Sequence, residues 1–240
     1  MSAIRMPEPG RYHADRPGEL RRRSHPLAYI GRHLPVVLEG LASELRVGPG
    51  DRVLDLGCAD MPYRRFFPAG CEYVGADLPG NPGADVEIGP DGRLPLEDER
   101  FDAVLSTQVL EHVAVPATYL AEAHRVLRPG GRLLLSTHGT MTYHPDPEDL
   151  WRWTADGLRR VVADAGFAVE RLEGVMGVTA TGVQFVQHGL LDRLPRALHR
   201  PVAFVFQALV ALADRLDTDD GRRRNALVFA LVAERPGESR

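Results

Sequence analysis

The chain has 240 residues, 44% hydrophobic and 26% charged, with a formal net charge of −4 and a pI near 6.1. That length suits one α/β domain, and the charge balance gives no general pull toward nucleic acid or anionic membranes. All 29 basic residues are arginine, which excludes a Walker A lysine and any Schiff-base or general-base lysine.

Residues 1–26 read as a polar, proline-rich arm with a basic cluster, Arg21 to Arg23, and no apolar secretory core. With only Cys58 and Cys71 available for pairing, a disulfide framework is not expected and a reducing cytoplasm is. From Leu27 to Leu45 apolar residues recur at helical spacing, so a helix packed on the core is predicted, ended by "VGPGD". "RVLDLG" is a continuous apolar run, as in a parallel strand covered on both faces. A short helix around Tyr63 to Phe67 follows, then strand "EYVGAD" and a weaker strand "ADVEI". Next come strand "FDAVLST", helix "ATYLAEAHRVL", strand "GRLLLST", helix "ADGLRRVVADAG" and strand "FAVERLEGV".

This alternation predicts right-handed crossovers and a doubly wound parallel sheet. The loops after Leu56, Ala76, Ser106 and Thr137 then carry the ligand sites. Between about Thr179 and Leu216 the alternation stops: two apolar helices are predicted, split by Pro195 to Pro201. Each reads as shorter than the ~20 residues that span a bilayer, so no transmembrane segment is expected. A polar turn, "DTDDGRRRN", leads into a last apolar run, "ALVFALVAE", which reads as a closing strand.

The first chemical signal is Asp55 and Gly57 in "VLDLGC", followed twenty residues later by Asp77, an acid at a strand end that can accept ribose hydroxyls. NAD enzymes share that pair, so by itself it leaves the cofactor open. Further motifs follow in order. "VLDLGC", "YVGAD", "DGRLPLEDERFDAVLSTQVLEHV" and "EAHRVLRPGGRLLLST" together resemble the class I S-adenosylmethionine-dependent methyltransferases over Asp51 to about Phe167. The resemblance implies a Rossmann-like, doubly wound, mostly parallel seven-stranded sheet with an antiparallel last strand, here with a C-terminal helical insertion at about 179–216. It implies a methyltransferase domain over 27–240 and S-adenosyl-L-methionine as cofactor.

Carried over by motif, Gly57 admits the methionyl end of the cofactor and Asp55 lies beneath it. Cys58 and Ala59 line the same loop, Asp77 binds the ribose diol and Leu78 follows it. Asp91 is the candidate for the adenine amino group, with Asp85 competing, and Gln108 and Leu110 flank the cofactor. The loop has Ala59 and Met61 where glycines are usual, which keeps a non-catalytic scaffold among the alternatives. An NAD-dependent oxidoreductase is the other, disfavoured by the missing glycines and the closing strand.

Methyl transfer to a hydroxyl gains from a nearby base, most often histidine. "STHGTMTYHPDPEDLWRWT" offers His138 and His144, together with Tyr143, Asp146 and both tryptophans, Trp151 and Trp153. His112, beside Glu111 in the Leu-Glu-His motif, is the third candidate. His144, Asp146 and Glu148 do not follow a recognised ligand spacing, so no metal is expected. The segment also resembles bacterial methyltransferases linked to surface glycans and secondary products. The expected acceptor is therefore a small molecule, a glycan or a glycolipid, with no nucleic-acid partner. The apolar helical insertion is read as core packing or a lid, with a homodimer face or peripheral membrane contact as alternatives.

Overall fold

The computed structural model describes residues 22–145 and 148–237. Helix α1 (Ala28–Ser43) leads to β1 (Arg52–Leu56), β2 (Glu72–Asp77), β3 (Val86–Glu87) and β4 (Phe101–Thr107). Helix α2 (Pro116–Val126), β5 (Leu127–His138), helix α3 (Ala155–Asp164) and β6 (Ala168–Gly177) follow. The chain ends with helices α4 (Val178–Leu191), α5 (Arg196–Ala213) and α6 (Asp219–Arg224), then β7 (Ala226–Glu234).

The strands form one seven-stranded sheet in the order β3-β2-β1-β4-β5-β7-β6. β1 to β5 pair in parallel, whereas β7 runs antiparallel between β5 and β6. The expected Rossmann-like sheet with an antiparallel last strand is therefore present. The continuous apolar runs are explained by cover on both faces. Leu54, Leu56, Val104, Leu133 and Leu135 pack with α2 and α3. Their neighbours Val53, Ala103, Leu105 and Leu134 pack with α1 and α5. Each fully buried leucine contributes about 1.5–3 kcal/mol, so these central strands make a stiff floor for the loops at their carboxyl ends.

Local signals account for several helix starts. Pro116 opens α2 at a position where its missing N–H is not needed. Thr154 caps α3 by accepting from the Gly157 N–H at 3.1 Å.

Four expectations change. The helix near Tyr63 is only a 3-10 turn, Arg64–Phe66, which ends where Phe67 becomes extended. The weak strand keeps two paired residues, Val86 and Glu87. The polar turn contains α6, capped by Thr218, which accepts from the Gly221 N–H at 3.0 Å. Pro201 does not break the second apolar helix, because α5 starts at Arg196 and carries Pro201 inside it. So near the amino end a proline forgoes only one intrahelical bond. With its terminal 3-10 turn the helix runs for 21 residues, Arg196–Leu216, and among the described residues it alone is long and apolar enough to cross a membrane.

The α4–α5 hairpin is tied to the body through buried amides. Gln184, Gln187 and Gln207 donate to the Pro26 carbonyl at 2.7, 2.8 and 2.7 Å. Gln207 also donates to the side-chain oxygens of Gln184 and Gln187, both at 2.9 Å, and accepts from the Tyr29 N–H at 2.6 Å.

Candidate active site

The residues singled out by sequence collect at the carboxyl ends of β1, β2, β4 and β5, where open α/β sheets bind ligands. Gly57 leaves β1 with φ of 81°. A Cβ at this position would collide with the Val109 side chain, so glycine is needed both for its φ and for the close approach. Cys58 is buried, and burial pushes its thiol up to about 12, which makes it a poor nucleophile. Ala59 and Met61 hold left-handed φ values of 47° and 52°. At Ala59 this turns the N–H onto Asp77 Oδ2 at 3.0 Å, and a charge-assisted bond offsets the strain.

Asp77 closes β2. Its Oδ1 accepts from the Leu78 N–H at 2.8 Å, and its Oδ2 accepts from the Asn81 side chain at 2.7 Å besides Ala59. A carboxylate offers about four acceptor positions, so capacity for a ligand hydroxyl remains. Asp55 is fully buried; the Tyr73 hydroxyl donates to its Oδ2 at 2.6 Å, while Oδ1 has no hydrogen-bond partner. Burial pushes the Asp55 carboxyl up to about 7.

Asp91 lies exposed in a turn and accepts from the Arg93 N–H at 3.1 Å, whereas Asp85 accepts from the Gly75 N–H at 2.8 Å. Gln108 adopts φ of 56°, and its side chain donates to Ser136 Oγ at 3.1 Å. Leu110 is buried in the core, so its neighbour Val109 provides the side chain over Gly57.

Beside this loop the three candidate histidines meet. The ring centroids of His138 and His144 are 5.6 Å apart, those of His112 and His144 5.9 Å, and those of His112 and His138 6.1 Å. His138, the last residue of β5, is 3% exposed, and its Nε2 lies 3.1 Å from Glu111 Oε1. The two atoms touch without hydrogen-bond alignment, and His138 Nδ1 is buried with no partner. Thr137 Oγ1 donates to Glu111 Oε2 at 2.8 Å. Burial raises the Glu111 carboxyl to about 7 and lowers His138 to about 3, so the resting imidazole is neutral. His112 Nδ1 bonds to the Glu148 carbonyl, which only accepts, so that nitrogen carries the proton.

The segment after β5 lies back over the same residues. The Leu150 and Trp151 N–H groups donate to the Glu111 carbonyl at 3.0 and 3.1 Å, and the Trp153 N–H donates to the His138 carbonyl at 3.0 Å. Arg152 holds the fold of the segment through Asp149, at 2.5 and 2.7 Å, and through the Met141 and Thr142 carbonyls. That guanidinium keeps Asp149 down at about 2. Of the outlined metal ligands, Asp146 lies outside the described residues, as does Arg21 of the basic cluster. A cleft of about 520 Å³ between α1 and β6 is lined by Tyr29, Asp214 and Arg222. Its charges are paired, Arg222 with Asp214 and Arg223 with Glu173.

Residues 54–135 match the family model described as a methyltransferase domain. The ubiquinone biosynthesis O-methyltransferase of Ruegeria pomeroyi is 35% identical over 185 residues, covering 66% of this chain and 73% of that protein. The chain belongs to the class I S-adenosylmethionine-dependent methyltransferases. A Mycolicibacterium smegmatis protein described as a probable S-adenosylmethionine-dependent methyltransferase is 34% identical over 114 residues, 45% of this methyltransferase and 44% of the relative. The methyltransferase thus spans less than half the length of several curated relatives. Phosphoethanolamine N-methyltransferase 2 of Haemonchus contortus, solved with S-adenosyl-L-methionine, shares the fold. Its TM-score is 0.51 at 16% identity, over 90% of this chain and 59% of that one.

S-adenosylmethionine is the cofactor of this family, and the methyltransferase has the residue types to hold it. Gly57 presents bare backbone, Asp55 carries an unpartnered buried oxygen suited to a cationic group, and Asp77 ends β2 with acceptor capacity in hand. Sequence reading did not single out Tyr73, Asn81, Val109, Asp149 or Arg152. The Asn-Pro-Gly run at Asn81 is a turn signal that points to its role. Tyr73 meets Asp55 only through the pairing of β1 with β2, which no local pattern displays.

Proposed function

We propose that the methyltransferase, as a domain over residues 27–240, transfers a methyl group from S-adenosylmethionine to an oxygen of a small-molecule or glycan-type acceptor. One observation carries the oxygen assignment: His138 Nδ1 is buried and unpartnered while Nε2 of the same ring touches Glu111. The cofactor supplies an electrophilic methyl on a sulfonium. The residues then have two tasks, to align the acceptor in a dry site and to take its hydroxyl proton.

His138 receives that proton at Nδ1 as the methyl is transferred, and an ionised Glu111 at 3.1 Å offsets the burial that otherwise disfavours the imidazolium. His112 and His144, with ring centroids 6.1 and 5.6 Å from that of His138, orient the acceptor. The name of the Ruegeria relative supports oxygen as the atom methylated. Both cysteines are free, which suits work in a reducing cytoplasm.

The test is titration calorimetry with S-adenosylmethionine, S-adenosylhomocysteine and NAD, followed by a mass-shift screen of metabolite and glycan extracts. His138→Gln is expected to leave cofactor affinity within about twofold and to lower turnover about 10²–10⁴-fold. Cofactor binding without transfer to any acceptor would favour a non-catalytic role.

A further inference from the structure

The outer face of the α4–α5 hairpin is apolar and open to solvent. Phe185, Leu190, Phe204, Val205, Leu209 and Leu212 are between 37% and 59% exposed. On α5 the exposed positions 205, 209, 212 and 216 follow helical spacing, opposite a buried stripe of Ala203, Gln207, Val210 and Ala213. Only 28% of the most apolar window of this helix is buried, unlike a core helix. Near the turn between the helices the charge is mostly positive, while the acids beyond the far end of α5, Asp214, Asp219 and Asp220, are paired with Arg222 and Arg223. From Gly182 to Ala213 the chain carries Arg193, Arg196 and Arg200 against a single acid, Asp192. All three arginines are exposed near the turn between the helices, and none is in an ion pair among the described residues.

We infer that this hairpin docks on an anionic lipid surface. Helix α5 lies in the plane of the interface with its outer stripe in the acyl boundary, and the arginines meet lipid phosphates. Crossing the bilayer is disfavoured because Gln207 on the inner stripe is bonded to Pro26, Tyr29, Gln184 and Gln187, and leaving that site would strand buried amides. A second copy of the chain fits the face less well. Its matching face brings the same arginines and one acid, whereas anionic headgroups bring the missing counter-charge.

The inner side of the same hairpin reaches the segment over the candidate site. Gln184 Nε2 donates to His188 Nε2 at 2.8 Å, so His188 Nδ1 donates to Thr142 Oγ1 at 2.9 Å, on the segment that covers His138. Resting on the methyl-transfer reading, this makes the acceptor an amphipathic molecule presented at the membrane surface.

The experiment is flotation of the full chain with phosphatidylcholine vesicles, with or without phosphatidylglycerol, at low and high salt. Two variants are compared: Leu209→Ser with Leu212→Ser, and Arg193→Ser with Arg196→Ser and Arg200→Ser. Circular dichroism and cofactor titration check that both fold. The wild type is expected to float with the anionic vesicles, less so at high salt, and each variant at least about tenfold less. Absence of flotation, or flotation unchanged in both variants, overturns the proposal. A dimer that the leucine variant dissociates, without vesicle binding, assigns the face to a second copy and also overturns it. None of these readouts depends on methyl transfer, so either reading can fail alone.

Discussion

Ala59 shows how one side chain sets the cost of the cofactor loop. Its φ of 47° lies where Cβ meets backbone, a strain on the order of 1–2 kcal/mol. Ala59→Gly removes that strain but adds chain entropy to the unfolded state, at roughly 0.5–1 kcal/mol. The expected net is a gain of up to about 1 kcal/mol in urea unfolding, with cofactor affinity kept or tightened. Gly57→Val moves the other way: it sets a branched side chain against Val109 at φ of 81°, and calorimetry is expected to show no cofactor binding. Asp55 supplies a pH test. Its carboxyl titrates near 7 folded and near 4 unfolded, so between those values the folded state binds more protons. Stability from this group therefore falls as pH rises from about 4 to 7. Asp55→Asn keeps an acceptor for Tyr73 and removes the titration. Its stability relative to wild type is expected to rise across that window, as followed by urea unfolding at several pH values.

At the scale of elements, the stretches 139–145 and 148–153 form a segment bonded to Glu111 and His138, and the α4–α5 hairpin meets it where His188 contacts Thr142. The segment is held by backbone bonds to Glu111 and His138 and by the Arg152–Asp149 fork. Arg152→Ala removes that fork and the bonds to the Met141 and Thr142 carbonyls. Faster hydrogen exchange at residues 141–145 and 148–152 is expected, with a higher KM for the acceptor and little change in cofactor affinity. The hairpin is anchored rather than hinged, since Gln207 occupies the centre of a buried amide cluster. Gln207→Leu leaves the Tyr29 N–H and its amide neighbours short of partners. A loss of about 1–3 kcal/mol in urea unfolding is expected.

For the whole molecule, the sheet couples the two halves of the site. β7 inserts antiparallel between β5 and β6, and the pairing extends to His138 opposite Val228. The end of β5 that carries His138 is therefore held by β7, while β4 pairs alongside as far as Ser136. Cofactor at a hundredfold excess over its dissociation constant adds about 2.7 kcal/mol to the folded state. For a chain of this size the melting temperature is expected to rise on the order of 5–10 °C with S-adenosylmethionine, and to stay put with NAD, as read by differential scanning fluorimetry.

The strands and most helices were legible because their signals are local. "VLDLG" and "ALVFALVAE" are apolar on both faces, and four motifs in order, rather than the glycine turn and acid alone, carried the resemblance to the family. Misreadings fell where a local rule met a wider context, as at Pro201, whose place in a helix depends on where that helix starts. The meeting of His112, His138 and His144 could not be read from the chain. It follows from the β4–β5 pairing, which brings Thr107 beside Ser136, and from a loop that folds back on Glu111. Nor does helical periodicity say which face of α5 is covered, because cover is a property of neighbours. Periodicity, being local, determined the strands and helices of the sheet, and the ordered motifs pointed to its cofactor loop; the contact of Glu111 with His138 and the bare face of α5 depend on distant residues, and only the tertiary structure decided them.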